Sequence, residues 1–95
     1  MSIRVRKPSN FTASLTTASA LVLASGNLRK HATFVNASDV GIWLSFGSTA
    51  VVGTGIYLAP SGGSYEIDGQ NLFTGDVYAI AVSGAGKVLG GVEFS

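Results

Sequence analysis

Residues 41–46, GIWLSF, show the alternation of a half-buried β-strand more clearly than any other part of the chain. Ile42, Leu44 and Phe46 fall on one side of the extended chain, whereas Trp43 and Ser45 fall on the other. Because successive side chains of a strand point to opposite faces, we expect the first set to face a core and the second to face outwards. The stretch therefore predicts a strand in a sheet that is covered on one side.

Similar segments precede and follow this strand, with turns rich in Gly, Ser and Asn between them. Many short strands at close intervals are typical of all-β domains. The sequence predicts a single-domain antiparallel β-sandwich of about eight strands, immunoglobulin-like or jelly-roll-like. The expected strands are residues 11–15, 19–24, 28–36, 41–46, 49–52, 56–58, 64–68, 76–82 and 87–94.

The composition agrees with this fold class and points to a partner. Val, Ile and Thr number 10, 5 and 7, whereas Lys, Glu, Gln and Met number only 3, 2, 1 and 1, which favours strands over helices. Charged residues make up 12% of the 95 residues, against about 25% in an average protein. No apolar run approaches the roughly 20 residues of a membrane helix, so no membrane association is expected. We therefore expect part of the surface to be buried in a homo-oligomer, for which a trimer is the working prediction.

The charge is divided unevenly along the chain. Residues 1–30 carry five positive charges and no acid, whereas residues 31–95 carry a net charge of −4. Residues 1–10 are interpreted as an extended basic arm and residues 11–95 as the sandwich. Nucleic acid is not an expected partner, because no aromatic side chain for base stacking lies among the basic residues. The expected contacts with an acidic protein surface are Ile3, Arg4, Val5, Arg6 and Lys7.

Catalytic and metal-binding patterns are not found in the sequence. The chain has no Cys, five acidic residues and one histidine, His31, which is expected beside Arg29 on the outer face of its strand. Glu66 and Asp68 share a strand face, but a sandwich of this size offers little room for a substrate cleft. The GAGK segment at residues 84–87 is followed by Val88, not by the Ser or Thr of a phosphate loop. We expect no enzymatic activity, no cofactor and no bound metal.

Trp43, Tyr57 and Tyr78 are the candidate interface residues, because the alternation places Trp43 and Tyr57 outside and Tyr78 on a strand that is apolar on both faces. Exposed aromatic side chains anchor protein interfaces. Two other interpretations stay open. The rings could fill the rim of the core, or they could stack on sugars as in a carbohydrate-binding β-sandwich module.

Residues 28–94 resemble a group of small β-structured virion proteins of tailed bacteriophages. The resemblance is carried by LRKHATFVNAS at 28–38, GIWLSFG at 41–47, GTGIYLAPSGGSYEI at 53–67 and FTGDVYAIAVSGAGKVLGGVEF at 73–94. Its most specific part is TGDVYAI at residues 74–80.

The resemblance implies a non-enzymatic structural protein of the virion. A capsid decoration (cement) protein that binds the assembled head and stabilises it is the leading expectation, and a tail, neck or fibre-base component is the alternative. The partners would be the major capsid protein or other virion proteins. The protein would be made in the host cytoplasm and would end on the capsid surface.

Overall fold

The computed structural model describes residues 8–26 and 29–95, and these residues form eight strands and no helix. The strands make two antiparallel sheets of four, which confirms the predicted all-β sandwich. The strands are β1 (Pro8–Leu15), β2 (Ala20–Leu23), β3 (His31–Asn36), β4 (Ile42–Phe46), β5 (Ile56–Leu58), β6 (Ser64–Ile67), β7 (Val77–Ala81) and β8 (Lys87–Phe94).

The order of the strands is that of a jelly roll. The first sheet runs β1-β8-β3-β6 and the second runs β2-β7-β4-β5. The partners are thus β1 with β8, β2 with β7, β3 with β6 and β4 with β5, as obtained when one long antiparallel hairpin is folded over on itself. Of the two sandwich types that the sequence predicted, the topology selects the jelly roll, whose eight strands form two Greek keys.

The core lies between the two sheets and receives side chains from all eight strands. Ile42 and Leu44 of β4 are fully buried, as the alternation in residues 41–46 indicates. Both sheets contribute long aliphatic and aromatic side chains, so the two inner faces interlock. The fully or nearly fully buried core residues are Leu15, Leu23, Ala32, Phe34, Ile42, Leu44, Leu58, Ile67, Val77, Ala79, Ala81 and Leu89.

The first strand begins earlier than the sequence predicted. Pro8, Ser9 and Asn10, which were assigned to the arm, pair in regular register with Phe94, Glu93 and Val92. Pro8 is accommodated because β1 is an edge strand, where a residue without an N–H group does not interrupt the sheet. The boundary at residue 10 is therefore corrected to residue 8. The predicted contact residues Ile3, Arg4, Val5, Arg6 and Lys7 lie outside the described residues.

Residues 49–52 are not a strand. They belong to the loop 47–55 between β4 and β5, in which Ala50 N donates to Ser19 Oγ at 2.9 Å. Ala50 is 2% exposed, whereas Val51 and Val52 are about half exposed. We call residues 47–55 the covering loop. It reaches from β4 to the residue before β2, so it crosses the intervening strand β7.

A bulge in β2 separates Leu21 and Leu23, which strict alternation within residues 19–24 would place on one face. Leu21 pairs with Tyr78 and Leu23 with Val77, so the register shifts between the two leucines. As a result Leu23 enters the core, whereas Leu21 is 51% exposed. One extra residue in a strand has this effect, because side chains alternate with a period of two.

Arg29 does not lie on the outer face beside His31, as had been expected. Its side chain is 2% exposed and donates to Glu93, Phe73 O, Gly75 O and Ala24 O. A buried guanidinium is tolerated when its donors are satisfied. Arg29 is thus a structural residue, and its charge is not part of a basic surface.

Candidate functional site

The outer side of the second sheet carries an aromatic pair. Trp43 of β4 lies directly opposite Tyr57 of β5, and their ring centroids are 5.0 Å apart with the ring planes inclined by 50°. Tyr57 is 49% exposed and Trp43 is half-buried. The Tyr57 ring covers Gly41 so closely that a Cβ atom at position 41 would overlap it. The pair is therefore a partly exposed, non-planar surface feature.

Tyr78 lies on the same face of the sheet. It is opposite Ser45 in β4 and opposite Leu21 in β2, whereas Trp43 is opposite the next outward residue of β7, Ile80. Tyr78 and Trp43 are consequently diagonal neighbours, a separation that aromatic side chains can reach across. The structure thus brings the three predicted interface residues together on one sheet face.

We call Trp43, Tyr57, Tyr78 and Leu21 the aromatic face. The covering loop lies over β7 on this face: Ser48 Oγ is 3.1 Å from Ser45 Oγ, Ala50 N donates to Ser19 Oγ, and the outward-facing Ile80 is only 8% exposed. None of these side chains carries a charge, and Tyr and Trp with few charges are the typical composition of the centre of a protein interface. An exposed apolar surface of this kind marks an interaction site more often than chance exposure does.

Three exposed apolar residues were not predicted to be exposed: Leu21 of the aromatic face, and Val51 and Val52 of the covering loop. Strict alternation puts Leu21 on the same face as Leu23, because the bulge in β2 leaves no recognisable signal in the residue pattern. Val51 and Val52 were assigned to a strand, because adjacent β-branched residues favour strands. The glycines at 53 and 55 were the available signal for a loop, and both have positive φ angles, of 94° and 96°.

Two pairs of ionisable side chains, His31 with Glu66 and Lys87 with Asp39, lie outside the aromatic face. His31, on the outer side of the first sheet, is hydrogen-bonded to Glu66 and has its ring centroid 5.4 Å from that of Phe94. Lys87 Nζ donates to Asp39 Oδ1 at 2.8 Å, and this ammonium group lowers the pKa of the exposed Asp39 carboxyl. Within residues 8–26 and 29–95 no three His, Asp or Glu side chains are grouped as metal ligands.

The part of the chain that the structure describes contains no helix long and apolar enough to cross a membrane. No protein-family model matches the sequence, and neither a curated protein nor a solved structure gives a significant match.

Proposed function

We propose that the protein is a non-enzymatic structural component of a bacteriophage virion, a capsid decoration protein that binds the assembled head. The observation that carries the proposal is the uncharged aromatic face on a small jelly-roll sandwich. The motifs in residues 28–94, above all TGDVYAI at 74–80, supply the virion context. In the fold these motifs are strands and turns that build the sandwich and its outer face.

The proposed action is thermodynamic. A protein that binds only the assembled shell stabilises it by mass action, by about 2.7 kcal/mol per site at a free concentration of 100 Kd. Many copies on a symmetric shell add avidity when neighbouring sites are linked. No catalytic step is required, so the side chains need only supply complementary contact area.

Two parts of the chain would share the contact with the shell. Trp43 and Tyr57 would insert between shell subunits, where buried aromatic side chains supply much of the binding free energy. Arg4, Arg6 and Lys7 would meet carboxylates of the shell. Exposed charge pairs are screened by salt, so part of the affinity should fall as the ionic strength rises.

A carbohydrate-binding module is disfavoured by the ring geometry. Stacking of a sugar on two side chains is best served by two rings in one plane, whereas the planes of Trp43 and Tyr57 are inclined by 50°. Tyr57 is also packed over Gly41, which restrains its rotation. A pair of rings inclined in this way fits the irregular surface of a protein partner better than a flat sugar ring.

The test is co-sedimentation of the purified protein with phage heads that lack it. We expect saturation at a copy number set by the symmetry of the shell. Replacement of Tyr57 by Ser should raise the Kd by roughly 30-fold, equivalent to about 2 kcal/mol. The matched control is Val88→Ser, because Val88 is 41% exposed on the opposite sheet and should bind heads normally.

Binding to isolated tails or fibres but not to heads would replace the decoration role with a tail, neck or fibre-base role. Binding to neither, together with a change in Trp43 fluorescence on adding one member of a glycan panel, would establish the carbohydrate-binding alternative. Equal loss of binding in Tyr57→Ser and Val88→Ser would show that the aromatic face is not the contact.

A further inference from the structure

The sandwich has four edge strands, and three of them are protected against pairing with another chain. β2 has four residues and a bulge, and β5 has only three residues. β6 carries Glu66, whose backbone carbonyl accepts a hydrogen bond from Asn71 Nδ2 at 3.2 Å. Short length, bulges, charges and covering side chains are the usual means by which proteins prevent edge-to-edge association.

The fourth edge, β1, is long and almost unprotected. It has eight residues, PSNFTASL, without a charge, and all eight pair with β8 without a register shift. Pro8, at its first position, is the one feature that limits pairing. In the described residues the backbone of β1 is hydrogen-bonded to no strand other than β8. A long, uncharged and regular edge of this kind is a template for another strand.

The alternation of hydrogen bonds along β8 identifies the β1 residues whose backbone N–H and C=O groups point away from the sheet. Ala37 N donates to Val88 O in the register of β3 with β8, so residues 88, 90 and 92 of β8 bond to β3. The alternate residues of β8 therefore bond to β1, and their partners there are Ser9, Phe11 and Ala13. Asn10, Thr12 and Ser14 consequently direct their N–H and C=O groups away from the sheet.

We propose that two copies of this chain associate through antiparallel pairing of their β1 strands about a two-fold axis at Thr12. In this register Thr12 faces Thr12 of the other copy, and Asn10 faces Ser14. Small hydroxyl and amide side chains form favourable cross-strand pairs. Pro8 falls opposite Thr16 at the end of the ladder, where its missing N–H costs least.

A second copy fits this edge better than a charged strand does. The paired segment, residues 8–15, is uncharged, so no like charges face each other within the ladder. The two sheets would join into one continuous sheet of eight strands, and the aromatic face would remain free on each copy. A trimer was the working prediction from the composition, whereas this edge predicts a dimer as the unit of assembly.

The dimer would present its two basic segments at opposite ends of the shared ladder. Eight residues separate the start of one β1 from the start of the other, a distance of about 27 Å. This consequence rests on the proposed function, whereas the dimer itself does not. Residues 3–7 of the two copies would contact two separate sites of the shell, and the avidity would increase because the two sites are linked.

Sedimentation equilibrium of the purified chain tests the state of association, and we expect a two-fold mass. Thr12→Lys should weaken the dimer by roughly tenfold or more, because two ammonium groups would then face each other across the axis. Thr12 is exposed, so this variant should keep the fold. The matched control is Ser64→Lys on the protected edge β6, which should remain dimeric.

Disulfide trapping identifies the strand that pairs. The chain has no cysteine, so a single introduced thiol reports on one contact. Directly opposed residues of antiparallel strands lie 4.5–5.5 Å apart at Cα, about the spacing of a disulfide. Oxidised Thr12→Cys should become a covalent dimer, whereas Ser64→Cys should not. A monomer, a trimer or efficient cross-linking of Ser64→Cys in place of Thr12→Cys would overturn the proposal, whatever the result of the head-binding assay.

Discussion

The guanidinium of Arg29 and the carboxylate of Glu93 lie 64 positions apart in the sequence, yet Arg29 Nε donates to Glu93 Oε2 at 2.6 Å. The remaining donors of Arg29 reach Phe73 O, Gly75 O and Ala24 O at 2.7, 3.1 and 2.6 Å. One buried cation therefore joins the end of β8 to the loop after β2 and the loop before β7. This cluster stabilises one end of the sandwich.

Replacing Arg29 by Met should lower the free energy of unfolding by about 3 kcal/mol, because Glu93 and three carbonyl groups lose their partner in a buried place. Urea denaturation measures the change. The neighbouring Lys30→Met is the control and should shift stability by less than about 0.5 kcal/mol. Adding Glu93→Gln to Arg29→Met should recover part of the loss, and a further loss would contradict this account.

Asn36 should be nearly as sensitive, although it is uncharged. Its side chain is fully buried, its Nδ2 donates to Val40 O and Leu58 O, and its Oδ1 accepts from the backbone and hydroxyl of Ser38. Asn36→Ala should cost about 2–3 kcal/mol, because these buried groups lose their partners. Thermal or urea unfolding measures this cost. Gln70→Ala, at an exposed loop position, is the control, and equal effects of the two variants would contradict the prediction.

Asp39 should titrate at a lower pH than an ordinary aspartate, because Lys87 donates to its carboxylate and lowers its pKa. Lys87→Met should therefore raise the pKa of Asp39, as measured by an NMR titration of the carboxyl carbon. The pair contributes stability above the pKa of the unfolded chain, and this contribution is lost as the pH falls through the folded pKa. Lys30→Met, the control, should leave the titration unchanged. An unchanged Asp39 pKa in Lys87→Met would refute the assignment.

Gly41→Ala should disturb the aromatic face without unfolding the protein. The new methyl group would overlap the outer end of the Tyr57 ring, which can turn away into solvent. The cost should be about 1 kcal/mol, the value of a lost ring pair. The near-ultraviolet circular dichroism of Trp43 should change, because its neighbour at 5.0 Å has moved.

The control for Gly41→Ala is Gly69→Ala, because a Cβ atom there meets no neighbour within 4 Å. Gly69→Ala should leave the near-ultraviolet spectrum unchanged. A double-mutant cycle with Tyr57→Ala should show coupling to Gly41→Ala, since the overlap exists only when the ring is present. Additive effects would mean that Tyr57 does not cover position 41 in solution.

The strands were predictable where alternation is strict and a core lies on one side. Residues 41–46 and 64–67 are examples, because Ile42, Leu44, Phe46, Tyr65 and Ile67 lie in the core or pack on it, while the other residues of β4 and β6 are exposed or half-buried. Residues 49–52 have β-branched side chains but form a loop, since Ala50 gains burial and a hydrogen bond to Ser19 in the covering loop. Strand propensity alone does not include the effect of such a tertiary contact.

The candidate site was predictable in its members but not in its assembly. Alternation placed Trp43 and Tyr57 outside their own strands. The jelly-roll order of the second sheet makes β4 the neighbour of both β5 and β7. This order brings Tyr78 of β7 to the pair formed by Trp43 and Tyr57. The exposure of Leu21 depends on the bulge in β2, and the burial of Arg29 depends on distant acceptors at Glu93 and residues 73–75 as well as on the nearby Ala24 O.

The sequence by itself determined the all-β class, the approximate strand positions and the uncharged character of the outward aromatic residues, because these depend on side-chain period and residue type within a few positions. Only the tertiary structure decided the jelly-roll order, the burial of Arg29, the exposure of Leu21 and the lone unprotected edge at β1. Each of these arises from pairing between segments far apart in the chain, and the free energy of such pairing depends on contacts that no local pattern encodes.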